Sequence, residues 1–274
     1  MIDFDDVEAF QRDGYLMKRN VFTSNEMSIL NDAFEHDSAL RRRLFGLDYG
    51  LGNTNEIAMW NHPGDDSFGA IARGERLVRA SEDLLGDEVY HYHSKITSKR
   101  PGSGGTWVWH QDFGYWYKNG CLFPDMLSVA IPLNPMSEVN GCLQVLKGSH
   151  KMGRLEHGFV GSQTGAHPHR VSAACSRMDT VAFDALPGDV MFFHSNTLQT
   201  SAPNHSLIHR NLLVIAYNTR SNDPIYEHHH PRYSRIEVLP DSAILDRAFH
   251  YDGENRVFMD PADDKTIASF EEMT

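Results

Sequence analysis

A succession of short runs rich in β-branched and aromatic residues, each closed by a glycine or proline turn, fills the chain from Val89 to Tyr217. The first, Tyr90 to Lys99, ends at the turn Pro101 to Gly105, and Met126 to Leu133 follows. Asn140-Gly141 opens Cys142 to Leu146, and Val181-Ala182-Phe183 precedes the turn Pro187-Gly188-Asp189. Val190 to His194 and Asn211 to Tyr217 complete the set. Strands this short and this regularly punctuated predict an antiparallel sandwich or barrel. Pro132 suggests an edge or bulge, and Lys151 to Arg177, rich in His, Gly and Ser, reads as a long surface insertion.

The N-terminal third has a different period. Phe4, Val7 and Phe10 predict a helix that ends at Gly14. Tyr15-Leu16-Met17 reads as a short strand, and Thr23 or Ser24 caps a second helix running to Leu44. Asp48 to Ser67, rich in Gly, Asn, Asp and Pro, is expected to be loop. Phe68 to Leu85 is expected to be helical and to close at Gly86. Residues 1–274 therefore read as one domain, mainly β with a helical N-terminal third: 1–88 as helical support, 89–220 as the β core, 221–274 as a tail covering the site.

A formal charge of −12 argues against a nucleic-acid or anionic membrane partner. No apolar run approaches the roughly 20 residues needed to span a bilayer. The acidic start, Met1 to Asp6, has no secretory signature, and three cysteines without a C-x-x-C pattern suit reduced thiols. A cytoplasmic monomer or homodimer acting on a small molecule is the expectation. Phosphate-loop, dinucleotide-binding and serine-hydrolase signatures are absent.

Chemistry concentrates in Trp109-His110-Gln111-Asp112-Phe113-Gly114-Tyr115-Trp116-Tyr117. On a strand, residues two apart share a face, so His110 and Asp112 would aim an imidazole and a carboxylate at one point. That is two thirds of a facial iron triad. The plainer reading of an isolated H-x-D is a half-buried strand whose His and Asp only hydrogen-bond. His91 and His93 alternate in the same way, although polar residues lining a barrel would look identical.

Further pieces lie downstream: N-G-C-L-Q-V-L-K-G-S-H from Asn140, P-G-D-V-M-F-F-H from Pro187, and S-A-P-N-H-S…R from Ser201 to Arg210. In order and spacing these resemble the phytanoyl-CoA dioxygenase family, which includes ectoine hydroxylase and phosphonate hydroxylases. The resemblance extends from the N-terminal Phe-x-x-Asp-Gly-Tyr to about Tyr233. It implies a double-stranded β-helix (jelly roll, cupin-like) that binds Fe(II), 2-oxoglutarate and O2 and hydroxylates a C–H bond. It also implies His110 and Asp112 as catalytic iron ligands and Arg210 as the clamp on the distal carboxylate of 2-oxoglutarate. Ser201, Thr97 and Lys95 would join the cosubstrate pocket.

One position departs from the pattern. Where the family carries its third iron ligand, a His, this chain has Gln199. A Gln offers a neutral amide oxygen, a weaker donor to ferrous iron than imidazole. The residue is either a weaker ligand, a mark of lost redox catalysis, or an alteration that blocks turnover. His194 and His205 are the nearby alternatives. On the substrate side Tyr115 and Trp116 are the candidates to face the substrate, and Asn55, Glu56, Lys95, Arg100 and Asp223 to His230 are candidates to hold an anionic head. The expected substrate is a small polar metabolite, an aminoethylphosphonate or an N-methylated analogue among the candidates. A non-catalytic or impaired binding protein on the same barrel is the alternative.

Overall fold

In the computed structural model of the chain, residues 2–48, 54–102, 105–251 and 256–259 are described. Helices α1 (Phe4–Asp13), α2 (Ser24–His36), α3 (Ser38–Arg43), α4 (Ser67–Arg73) and α5 (Glu75–Leu85) alternate with β1 (Tyr15–Lys18), β2 (Phe45–Asp48) and β3 (Thr54–Trp60). Beyond them come β4 (Val89–Lys99), β5 (Trp107–His110), α6 (Asp112–Trp116), β6 (Met126–Pro132) and β7 (Leu143–Leu146). The chain continues through β8 (His157–Val160), β9 (Gln163–Ala166), α7 (Pro168–Cys175) and β10 (Thr180–Ala182). It then forms β11 (Val190–His194), β12 (Gln199–Ser201), β13 (Arg210–Thr219) and α8 (Ala243–Asp246).

All strand pairings are antiparallel among the described residues. A seven-stranded sheet runs β1-β11-β6-β13-β4-β3-β2, and a four-stranded sheet runs β10-β7-β12-β5. Side-chain alternation explains what each face does. From β13, Leu213, Ile215 and Tyr217 pack with Leu127, Val129 and Ile131 of β6 against the helices. The intervening Leu212 and Val214 join Phe193, Leu143 and Val145 between the two sheets. Strands covered on both faces are apolar throughout, which is why the β6 and β13 runs were the plainest in the sequence.

Local chemistry sets the helix ends. Asp3 and Asp6 form a reciprocal cap on α1, and Gly14 closes it at φ 80°. Thr23 and Glu26 cap α2. The expected continuous helix to Leu44 is broken at Asp37, whose carboxylate accepts the Leu40 N–H at 2.9 Å and starts α3. The 68–85 helix is likewise two, parted at Gly74.

Three other expectations need correction. The loop expected from Asp48 to Ser67 contains β3, because Ile57-Ala58-Met59-Trp60 is apolar enough to pair along β4. Residues 49–53 of that stretch lie outside the described residues. Pro132 ends β6, which lies between β11 and β13 rather than at an edge. The insertion at 151–177 forms the β8–β9 hairpin and α7, and hairpin residues Phe159, Ser162, Gln163 and Thr164 line the central cavity. Among the described residues no helix is long and apolar enough to cross a membrane.

Candidate active site

Between the two sheets lies a cavity of about 340 Å³. His110 ends β5, Gln111 is extended, and Asp112 is the first residue of α6. The convergence expected from strand alternation therefore arises at a strand-to-helix corner. His110 Nε2 and Asp112 Oδ1 stand 3.9 Å apart and both residues line the cavity. The Val108 carbonyl can only accept, so His110 Nδ1 carries the proton in their 2.8 Å bond. Nε2 thus presents a lone pair, the tautomer a metal requires. Burial lowers the His110 pKa, which also favours the neutral ring. Asp112 Oδ2 accepts from the Ser128 hydroxyl at 2.7 Å, which leaves Oδ1 turned toward His110.

The corner is held from behind. Gln111 donates through Nε2 to the carbonyls of Gly153 and Asn196 at 2.8 and 2.7 Å, and its Oε1 accepts the Leu155 N–H at 2.7 Å. Its backbone N–H donates to His157 Nε2 at 2.9 Å, and His157 Nδ1 donates to the Leu155 carbonyl. The imidazole lies directly under α6, where a Cβ on Gly114 would fall 2.2 Å from its Cε1. Only glycine lets helix and imidazole approach so closely.

Burial keeps several such rings neutral. Desolvation pushes His91 to about 3, His157 to about 4 and His194 to about 3. A folded-state pKa below the ordinary value of about 6.5 gives stability that is present above that pH and lost as pH falls toward about 4. Each ring can contribute a slope of up to about 1.4 kcal/mol per pH unit. Urea unfolding is therefore expected to show clearly lower stability at pH 5 than at pH 7. Equal midpoints at the two values would contradict neutral burial of these rings.

Gln199 on β12 pairs directly with His110 of β5. It lines the cavity, and its buried Nε2 has no hydrogen-bond partner among the described residues. Turning the amide end for end changes no sterics and would present Oε1 instead. His194 does not line the cavity: its Nδ1 accepts the Asn196 N–H at 3.0 Å and its ring packs near Phe10 and His150. His205 is exposed in the turn after β12. Neither reaches His110 and Asp112, and no group of three or more His, Cys, Asp or Glu suited to a metal occurs among the described residues. The donors present fit a divalent ion at His110 and Asp112 with an amide as the third, weaker contact.

Arg210, at the start of β13, lines the cavity and is almost wholly buried. Nη1 donates to Thr97 Oγ1 at 2.8 Å, and Nε has no partner. No carboxylate pairs with it among the described residues, and burial pushes its pKa down to about 10. Ser201 lines the same end. Lys99, which sequence reasoning passed over, is the residue that β4 pairs with Arg210. Its ammonium donates to Ser201 Oγ at 2.7 Å and to the carbonyls of Ser201 and Ala202. Burial and the charge of Arg210 hold its pKa well below the ordinary lysine value. Two buried cations side by side without a counter-anion make a site for an anion. The signal for Lys99 was its place on the inward face of β4, two residues beyond Thr97.

Lys95 stands two residues before Thr97 on β4, with Nζ 3.8 Å from Asp112 Oδ1. Tyr115 and Trp116 line the cavity, and the Tyr115 hydroxyl donates to the Thr164 carbonyl at 2.8 Å, tying α6 to the β8–β9 hairpin. Asn55 is buried outside the cavity lining, with Nδ2 directed at the Thr106 carbonyl. It pairs with Lys99 across β3 and β4 and shares a strand face with Ile57 and Met59, which do line the cavity. Glu56 and Arg100 form an ion pair with each other. From the tail, His230 and Met259 reach the cavity.

Comparison with known proteins agrees with this geometry. The profile of the family described as phytanoyl-CoA dioxygenase (PhyH) matches residues 10–212. The chain is 28% identical to L-proline trans-4-hydroxylase of Streptomyces griseoviridis over 236 residues, 79% of this chain and 87% of that protein. It is 27% identical to ectoine dioxygenase of Bordetella bronchiseptica over 236 residues, 80% and 76% of the two chains. It is 34% identical to a probable alpha-ketoglutarate-dependent hypophosphite dioxygenase of Stutzerimonas stutzeri, over 56% of this chain and 53% of that one. The crystal structure of EctD from S. alaskensis with 2-oxoglutarate and 5-hydroxyectoine superposes with a TM-score of 0.73 at 23% identity, covering 88% and 89% of the chains. This chain belongs to the phytanoyl-CoA dioxygenase family of Fe(II)/2-oxoglutarate-dependent dioxygenases.

Proposed function

We propose that this chain hydroxylates a C–H bond of a small polar metabolite, an aminoethylphosphonate or an N-methylated analogue, on a double-stranded β-helix formed by its two sheets. The observation that carries the reading is one cavity with a His–Asp donor pair facing a third polar residue and two buried cations lacking an anion. His110 Nε2 and an oxygen of Asp112 would hold iron, with Gln199 as the third contact. Bound there, ferrous iron supplies the chemistry of the family, in which oxidative decarboxylation of 2-oxoglutarate is coupled to hydroxylation. Arg210, oriented by Thr97, grips the distal carboxylate of the keto acid with two parallel bonds. Lys99 occupies an acceptor lone pair of Ser201, so the Ser201 hydroxyl is free to donate to that same carboxylate. Tyr115 and Trp116 give the substrate an aromatic wall suited to a methylated ammonium. The phosphorus-oxyanion substrate named for the Stutzerimonas relative supports the phosphonate class.

Gln199 favours a second reading, a binding protein of the same architecture with impaired turnover. Succinate formation from 2-oxoglutarate, with Fe(II), O2 and 2-aminoethylphosphonate or its trimethylated analogue, decides between them. Gln199→His is expected to tighten iron binding and to raise succinate formation about tenfold or more, because imidazole is the stronger donor. A parent chain that already equals the His variant would mean the amide is a competent ligand.

A further inference from the structure

One polar ring in the cavity is used by none of these roles. His93 is 2% exposed and lines the cavity, and among the described residues neither of its ring nitrogens has a hydrogen-bond partner. It stands on the inward face of β4, two residues before Lys95. Its ring is fixed by packing, edge-on to Trp116 at 5.6 Å and stacked on His230 at 5.0 Å between centroids. Desolvation and the neighbouring His230 hold it in the neutral form. It therefore offers one N–H donor and one lone pair at a fixed place. A buried polar group left without a partner is costly, and native proteins keep such groups where a ligand completes them.

The charge of the cavity points to what that ligand is. Its charged lining residues are Lys95, Asp112 and Arg210. With a divalent ion and the dianionic keto acid added to these three, and Lys99 counted beside Arg210, the site holds two positive charges more than negative. Arg210 and Lys99 share one of these charges beside Thr97 and Ser201, and the other lies at Lys95 beside Asp112. A substrate bearing an anion satisfies both the unpartnered imidazole and the unbalanced ammonium. A neutral or cationic substrate could bond the imidazole but would leave the ammonium unbalanced.

Resting on the hydroxylase reading above, we propose that His93 and Lys95 form the subsite for an oxyanion on the substrate, a phosphonate or a carboxylate. The ammonium of Lys95 neutralises the head, and His93 donates its N–H to one of the head's oxygens. Trp116, packed against His93, places the substrate chain between this anchor and Asp112.

Anaerobic calorimetry on the full chain tests this with three probes of one chain length class: 2-aminoethylphosphonate, 3-aminopropanoate and n-propylamine, each added after saturating Fe(II) and 2-oxoglutarate. The parent is expected to bind at least one anionic probe, whichever binds tighter naming the head, and to bind n-propylamine about tenfold or more weakly. Lys95→Met and His93→Phe, the second keeping an aromatic ring in place, should each weaken the anion about tenfold while 2-oxoglutarate affinity stays within about twofold. Undiminished anion binding in both variants overturns the subsite. So does a loss of 2-oxoglutarate affinity in Lys95→Met equal to the loss of the anion, which would assign Lys95 to the cosubstrate. A parent that binds 2-oxoglutarate but neither anion overturns the subsite alone. A parent that binds no 2-oxoglutarate overturns the hydroxylase reading beneath it.

Discussion

Asp112→Ala is expected to abolish iron retention and, with it, the conversion of 2-oxoglutarate to succinate. Asp112 is the only carboxylate lining the cavity among the described residues. Without it a ferrous ion would meet one imidazole and one amide, both neutral, in a space that also holds Lys95 and Arg210. Two neutral donors do not offset the desolvation of a divalent ion next to two cations. The fold should survive, because the corner is secured by other contacts. Phe113 donates its N–H to the Ser195 carbonyl at 3.0 Å, and Gln111 is tied to Gly153, Leu155, Asn196 and His157. Loss of the Ser128 bond costs on the order of 1 kcal/mol. Metal content after desalting should fall to background while the thermal midpoint stays within a few degrees. Iron held by the variant as firmly as by the parent would put the metal elsewhere.

Arg210→Met carries the second largest effect, and its signature is selectivity rather than affinity alone. Among the described residues the buried guanidinium has Nε free and only Thr97 as partner, so it pairs fully only when a carboxylate arrives. Losing a buried charge-assisted pair costs about 2–5 kcal/mol. The dissociation constant for 2-oxoglutarate should rise at least about tenfold, since about 1.4 kcal/mol is one decade. Affinity for 2-oxobutanoate, which has no distal carboxylate, should hardly change. If both keto acids weaken equally, Arg210 is supporting the sheet rather than gripping the cosubstrate. Lys99 keeps one positive charge at the site in the variant, so binding should weaken without vanishing.

How much of this was legible in the sequence depends on the kind of signal each residue left. β6 and β13 were readable because strands covered on both faces are continuous apolar runs, and both lie buried along their whole length. β3 was hidden because only four apolar residues, Ile57 to Trp60, stand among turn formers, and their pairing along β4 is a tertiary matter. His110 and Asp112 stood out through their spacing, although what brings them together is a strand-to-helix corner held by His157 from 46 residues away. That support left no local trace beyond Gly114. Asn55 stood out because polar residues in a turn-rich stretch resemble a cavity rim, and sheet pairing sets it beside Lys99, just outside the residues that line the cavity. Lys99 was invisible, and His93 stood out only as an alternating pair with His91, for the converse reason. A strand alternating polar residues can line a barrel or face solvent, and only the second sheet opposite β4 decides which.

The most direct test of the account is an anaerobic titration of Fe(II) into the chain saturated with 2-oxoglutarate, following the visible charge-transfer absorption that a chelated keto acid gives on ferrous iron. The account predicts an absorption that saturates at about one iron per chain, needs higher iron concentrations in the parent than in Gln199→His, and disappears in His110→Ala. Iron and 2-oxoglutarate that both bind without producing the absorption, or an absorption that persists in His110→Ala, would contradict it.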